Sequence, residues 1–180
     1  MPKYIAFLRA INVGGHTVKM DQLRDLFTGL GFRNVETFIA SGNVIFDSPA
    51  KNARTLEKKI ETGLLKALGY EVVTFIRNAS ELASIAAYKP FSDSELNAKG
   101  HTLYIGFLAN PPGETVKKKL LALVTKVDDL HLNGREIYWL CRTTKFSESQ
   151  ISGPQLAKAL GMPATLRNAT TVRKIAAKYS

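Results

Sequence analysis

Cysteine is nearly missing from this chain: Cys141 stands alone among 180 residues. One thiol cannot close an intramolecular disulfide, and thiolate metal sites of the usual spacing cannot be assembled from it, so a reducing cytoplasm is the expected location. Histidine is sparse and scattered. His16, His101 and His131 form no i, i+4 pair and no H-E-x-x-H, and neither a metal nor any other cofactor is expected. Long apolar runs are absent as well, since none approaches the ~20 residues that span a bilayer. The opening Met-Pro-Lys-Tyr runs directly into strand-like sequence without a basic region, an apolar stretch and a cleavage site, so no signal peptide is expected. Acidic residues are the minority charge. Asp and Glu number 15 against 25 Lys and Arg, a formal net charge of +10. That balance favours phosphates, nucleic acid or an acidic partner and excludes nothing else.

The hydrophobic fraction, 45%, is ample for a packed core. "KYIAFLR" (3–9) has the composition of a strand, and Met20, Leu23, Leu26, Phe27 and Leu30 then fall at helical spacing, with Gly31-Phe32 in the form of a left-handed cap. "VETFIA" (35–40) and "NVIFD" (43–47) read as a hairpin turned at Ser41-Gly42. A helix on Leu56, Ile60, Leu64 and Leu68 ends at Gly69, and "EVVTFIR" (71–77) returns as a strand. The order is βαββαβ, the ferredoxin-like unit.

The second half repeats the first in residue identity as well as pattern. "YIAFL" (4–8) recurs as "YIGFL" (104–108), "LLKALG" (64–69) as "LAKALG" (156–161), and "RNASELASIAA" (77–87) as "RNATTVRKIAA" (167–177). Between them lie a helix carrying Val116, Leu120, Leu123, Val124 and Val127, then strands near "LHLN" and "EIYWLC" with Asn133-Gly134 at their turn. The expected class is α+β: two ferredoxin-like subdomains from internal duplication, 1–90 and 101–180, joined by a connector at 91–100. Each ends in an extra helix, near 79–88 and 169–179.

In a βαββαβ unit the loop after the first strand and the turn after the second emerge at one edge. Asn12, Gly14 and Gly15 should therefore lie near Ser41, Gly42 and Asn43. Backbone N–H groups of two glycine-containing loops can form an anion-binding nest, and the same glycines can merely supply backbone angles for a turn. Asn78 and Asn168 sit at N-cap positions, with Glu81 completing a capping box after Asn78. Arg77 and Arg167 fit capping less well, because a guanidinium opposes the helix dipole unless an anion or carboxylate sits between them; the other reading pairs each with a structural carboxylate or a backbone carbonyl. If the halves dock with one inverted, Lys145, Arg167 and Asn168 would face the first-half loops across one cleft. Covalent chemistry has little support: no G-x-S-x-G surrounds a serine, and Cys141 ends an apolar strand. Neither G-x-x-x-x-G-K-[ST] nor G-x-G-x-x-G is present. Tyr138 and Trp139 on opposite faces of one strand could stack bases, but the K/R-G-F/Y-G/A-F-V-x-F/Y signature is missing.

"LRAINVGG", Met20 to Leu23, "SGNVIFDS" and the closing "KALGMPATLRNATTVRKI" resemble the bacterial family catalogued as domain of unknown function 1697. That family opens L-R-G-I-N-V-G-G, carries S-G-N-V at its hairpin and closes G-x-P-A-T-x-R-N-W-x-T-V-x-K-L. The resemblance implies a two-subdomain α+β fold and supplies no reaction. Ala10 stands where the family has its first glycine, and Ala169 where it has tryptophan. Three functional classes follow for test: a protein binding an anionic ligand (nucleotide, phosphorylated metabolite or nucleic-acid phosphate), an enzyme acting on a phosphorylated or carboxylated small molecule, and a structural or partner-binding module.

Overall fold

The computed structural model describes residues 1–11, 15–39, 42–143 and 153–179. Among them the chain is a mixed α+β protein with two four-stranded antiparallel sheets and seven helices. No helix among the described residues is long and apolar enough to cross a membrane. The chain divides into two compact units, one formed by Met1–Ala83 with Ile175–Ser180 and the other by Ser84–Lys174.

The first unit contains β1 (Lys3–Leu8), α1 (Met20–Gly29), β2 (Arg33–Thr37), β3 (Asn43–Asp47), α2 (Ala53–Leu68) and β4 (Thr74–Asn78), with sheet order β2-β3-β1-β4. Side chains alternate across a pleated strand, and here both faces are apolar. Tyr4, Ala6 and Leu8 of β1 join Val44, Phe46 and Ile76 in a core closed by Leu23 and Phe27 of α1 and Leu56, Ile60 and Leu64 of α2. Ile5, Phe7, Ile45 and Phe75 on the opposite face are fully buried too. Strands covered on both faces read as continuous apolar runs, which is why "YIAFL" shows no polar alternation. The helix punctuation follows expectation. Gly31 turns left-handed (φ 94°) while the Phe32 amide donates to the Phe27 carbonyl. Asn52 caps α2 by accepting from the Arg54 amide at 2.9 Å, and Gly69 (φ 83°) ends it.

The second unit holds α4 (Asp93–Asn97), β5 (Thr102–Leu108), α5 (Glu114–Leu121), β6 (Asp128–Asn133), β7 (Glu136–Cys141), α6 (Gly153–Leu160) and β8 (Ala164–Asn168), with sheet order β6-β7-β5-β8. Leu108, Leu120, Leu130, Ile137, Trp139, Leu156 and Leu160 make its core. The central strands of the two sheets carry matching registers: Ile5 lies opposite Arg77 and Ile105 opposite Arg167, Tyr4 opposite Asn78 and Tyr104 opposite Asn168. The unit boundaries fall inside the two remaining helices, α3 (Ala79–Ala87) and α7 (Ala169–Tyr179).

Several sequence expectations need correction. The first hairpin is not joined by a two-residue turn. β2 ends at Thr37 and β3 begins at Asn43, so the connection is wider, and the Asn43 side-chain amide donates to the Phe38 carbonyl beside it. The second hairpin turns at Gly134-Arg135, because Asn133 is still paired with Glu136. α5 stops at Leu121, leaving Leu123, Val124 and Val127 outside the helix, and β4 begins at Thr74 rather than 71.

The connector after α3 is not featureless. It carries α4, whose Glu95 is clamped by Arg142: Nε and Nη2 donate to the two carboxylate oxygens at 3.1 and 3.2 Å, while Nη2 also reaches Asp129 at 3.2 Å. The Arg142 hydrogen bond holds the Glu95 carboxyl below its ordinary value of 4.5. A group whose folded pKa is depressed contributes stability above its unfolded value and loses it as pH falls through the folded one. Acid titration should therefore loosen the second unit as pH drops below about 4.5, and Glu95→Gln should flatten that limb. Near-UV circular dichroism of Trp139 reads it, and superimposable acid limbs for the two proteins would contradict it.

Ala10 sits at φ 53°, in the left-handed region. An L-residue with a Cβ is strained there by about 1–2 kcal/mol. Ala10→Gly, restoring the glycine of the family resembled above, is expected to raise stability by about 0.5–1 kcal/mol, the strain relief being partly offset by the freer unfolded chain. Urea unfolding measures the gain, and a destabilised variant would show that the left-handed turn is not strained.

Candidate glycine-rich edge

The segment leaving β1 and the segment entering β3 meet in the first unit. The Leu8 amide donates to the Gly42 carbonyl at 2.9 Å. A Cβ on Gly42 would stand 2.9 Å from the Ile11 side chain and 3.1 Å from that of Leu8. Gly42 is also left-handed, at φ 81°, so glycine is required there twice over, for backbone angle and for close approach. Asn43 is fully buried beside it, spending its amide on the Phe38 carbonyl at 3.0 Å. The sheet order places these loops together because β3 lies directly against β1.

Tyr70, on the segment after α2, holds both ends of the opening loop. Its hydroxyl donates to the Ile11 carbonyl at 3.1 Å and its ring stacks on His16 with centroids 3.9 Å apart. Nothing in the sequence near "NVGG" points to Tyr70. Only the return of the chain past α2 brings it there, 59 residues from Ile11. Arg9, the arginine of "LRAINVGG", is exposed where β1 gives way to the loop, a cation not counted among the expected site residues. Four residues around the two loops are left-handed: Ala10, Gly15, Ile39 (φ 59°) and Gly42. For Ile39, β-branched and 52% exposed, that backbone is a genuine outlier. Gly15 is exposed and open, with nothing within 4 Å of where a Cβ would stand. Asn12, Gly14, Ser41 and Lys145 lie outside the described residues.

Arg167 and Asn168 belong to the second unit and have defined structural work. Arg167 is only 8% exposed, and its Nη1 donates to the Thr165 hydroxyl at 2.7 Å and the Leu166 carbonyl at 3.0 Å. Burial lowers its pKa to about 10, which leaves it cationic at neutral pH. Asn168 caps α7 by accepting from the Thr170 amide at 2.9 Å. Arg77 is the first-unit counterpart in register, buried, with Nη1 on the Ile76 carbonyl at 2.9 Å. The capping box at α3 forms as expected: the Asn78 amide donates to Glu81 at 2.8 Å and the Glu81 amide to the Asn78 side chain at 2.7 Å. Backbone carbonyls, with the Thr165 hydroxyl, thus take up donors of both guanidiniums beside the helix starts. Ala169, at the family's tryptophan position, is buried in the first turn of α7.

The aromatic pair of β7 is not a surface for stacking bases. Tyr138 is fully buried with its hydroxyl on the Ile85 carbonyl at 2.9 Å, and Trp139 is buried with Nε1 donating to Asp128 at 2.9 Å. Cys141 is buried, and burial pushes its thiol pKa up, away from nucleophilic use. Among the described residues no group of three His, Cys, Asp or Glu side chains is placed to hold a metal ion.

Among solved structures the chain is similar to the conserved bacterial protein SP0830 from Streptococcus pneumoniae, with 24% identity, a TM-score of 0.75, and coverage of 99% of this chain and 98% of that one. That likeness speaks for the fold alone. No curated protein matches the sequence. The profile described as "Protein of unknown function (DUF1697)" matches residues 1–138, and the chain belongs to that family.

Proposed function

We propose that this is a cytoplasmic protein that binds an anionic ligand at the glycine-rich edge, and that its two units are ferredoxin-like halves of a duplication. The duplication is supported by the matching strand orders β2-β3-β1-β4 and β6-β7-β5-β8 and by the equal registers of Arg77 and Arg167. The cytoplasmic location rests on a lone thiol with no second cysteine to pair with.

The observation that carries the ligand reading is the cluster of left-handed residues, Ala10, Gly15, Ile39 and Gly42, around two touching loops. Of these, Ala10 and Ile39 are strained, since a Cβ disfavours the left-handed region; strained backbone persists where the surrounding structure over-determines it, and such places collect at ligand clamps. Backbone N–H groups in turns of this kind converge on anions. Gly15, Gly42 and Asn43, with Asn12, Gly14 and Ser41, are the proposed contacts, and Arg9 is added as the nearby cation. Arg167, Asn168 and Lys145 are retained as a second proposed set in the other unit.

Isothermal titration of the intact protein with inorganic phosphate, nucleotides and oligonucleotides tests this. Arg9→Ala should weaken the ligand that binds, by roughly 1.5–3 kcal/mol for a hydrogen bond to a charged group. Arg167→Ala separates the two sets: lost stability with intact affinity assigns Arg167 to structure alone. An oligonucleotide contacting six or more phosphates should lose affinity on the order of a thousandfold between about 50 and 200 mM salt. Silence from every anion at low salt would overturn the reading. Turnover of a bound compound would move the protein to the enzyme class.

A further inference from the structure

We infer that the last turn of α7 is a strap that sets the start of the hairpin loop at the glycine-rich edge. Residues Ile175 onward belong to the first unit although the helix starts in the second. Ile175 and Ala176 are buried, anchoring the turn by its apolar side. Beyond them Tyr179 donates its hydroxyl to Glu36 of β2 at 2.6 Å, and its ring meets Phe38 edge-on with centroids 6.5 Å apart. Lys178 lies over both rings, 5.7 Å from the centroid of Phe38 and 5.1 Å from that of Tyr179, and Lys3 approaches Tyr179 from β1 at 6.0 Å.

These contacts fall on Glu36, near the end of β2, and on Phe38, the residue between the strand end at Thr37 and the left-handed turn at Ile39. Phe38 is the hinge of that change: its amide donates to the Asn43 carbonyl at 3.0 Å and its carbonyl accepts from the Asn43 side chain at 3.0 Å. A ring packed on Phe38 and a hydroxyl fixing Glu36 two residues earlier define where pairing stops and the loop begins. Edge-strand ends otherwise fray, and β2 stands at the edge of its sheet beside β3. An aromatic pair and a hydrogen bond to a carboxylate are strong enough together to oppose that fraying. The strap itself needs no ligand, while its bearing on binding rests on the function proposed above.

Hydrogen exchange on the intact, ligand-free chain tests it. Tyr179→Ala should speed exchange of the Phe38 amide about tenfold or more, with the β1–β4 amides unchanged. Tyr179→Phe, which keeps the ring and loses only the hydroxyl, should give a smaller rise at the same amide, and Glu36→Gln, which keeps an acceptor but loses the charge, a smaller rise still. An unchanged Phe38 amide in Tyr179→Ala would overturn the strap. A uniform rise across the first unit would overturn it too, by reducing Tyr179 to general stabilisation. Phosphate titration of the same variants is read separately: a local rise with no anion binding in wild type keeps the strap and removes the ligand reading.

Discussion

Phe46→Ala should destabilise the first unit by about 3–5 kcal/mol, the range for emptying a buried phenylalanine site. Phe46 is fully buried on β3 at the meeting point of three rings: Phe32 at 4.4 Å, Phe27 at 5.7 Å and Tyr4 at 5.8 Å between centroids. These rings come from β1, from α1 and from the residue after its cap, so none can close the void without moving an element held elsewhere. Whole-protein stability is commonly about 5–15 kcal/mol, so this one change should remove a large share of it. Urea unfolding followed at the first unit's amides measures the loss. A cost below about 2 kcal/mol would mean that α1 collapses into the space, contrary to the packing described.

Gly42→Ala should cost about 2–5 kcal/mol, from two separable sources. A left-handed backbone disfavours any Cβ by about 1–2 kcal/mol. The new methyl would also stand 2.9 Å from the Ile11 side chain and 3.1 Å from that of Leu8, inside a buried corner, and overpacking of that kind costs about 1–3 kcal/mol. Gly15→Ala is the internal comparison. Its φ is 85° but nothing lies within 4 Å, so only the backbone share, about 1–2 kcal/mol, should appear. Equal losses at the two glycines would show that the Ile11 contact relaxes freely and that the loops are not locked together. A larger loss at Gly42, with hydrogen exchange at Leu8 also accelerated, would confirm that the Leu8 amide to Gly42 carbonyl bond ties the loops into one edge.

Local signals in this sequence are reliable where the cause is local. Gly31, Asn52 and Gly69 punctuate α1 and α2 because caps depend on a few adjacent residues, and the box of Asn78 with Glu81 closes within one turn. The meeting of the segment leaving β1 with the segment entering β3 is legible as well, because strand order brings the ends of β1 and β2 to one edge. The width of the first hairpin is not, for a reason that no local rule contains. Asn43 turns its side chain to the Phe38 carbonyl, and the Phe38 ring meets that of Tyr179 from the last turn of α7, a contact between residues far apart in sequence.

The order of the main strands and helices, the repeated motifs, the caps and the positive charge can be read without coordinates, whereas the short α4 in the connector is not among them. What those residues are for emerges only from packing. Tyr138 and Trp139 are core because both faces of β7 are covered, and the guanidiniums of Arg77 and Arg167 find carbonyls because the strands that carry them are buried. Tyr70 comes to hold Ile11 and His16 only through the path of the chain past α2. Propensity and capping act over a few residues, whereas burial and long-range hydrogen bonds depend on which distant segments share a face, and that is settled only when the sheets close.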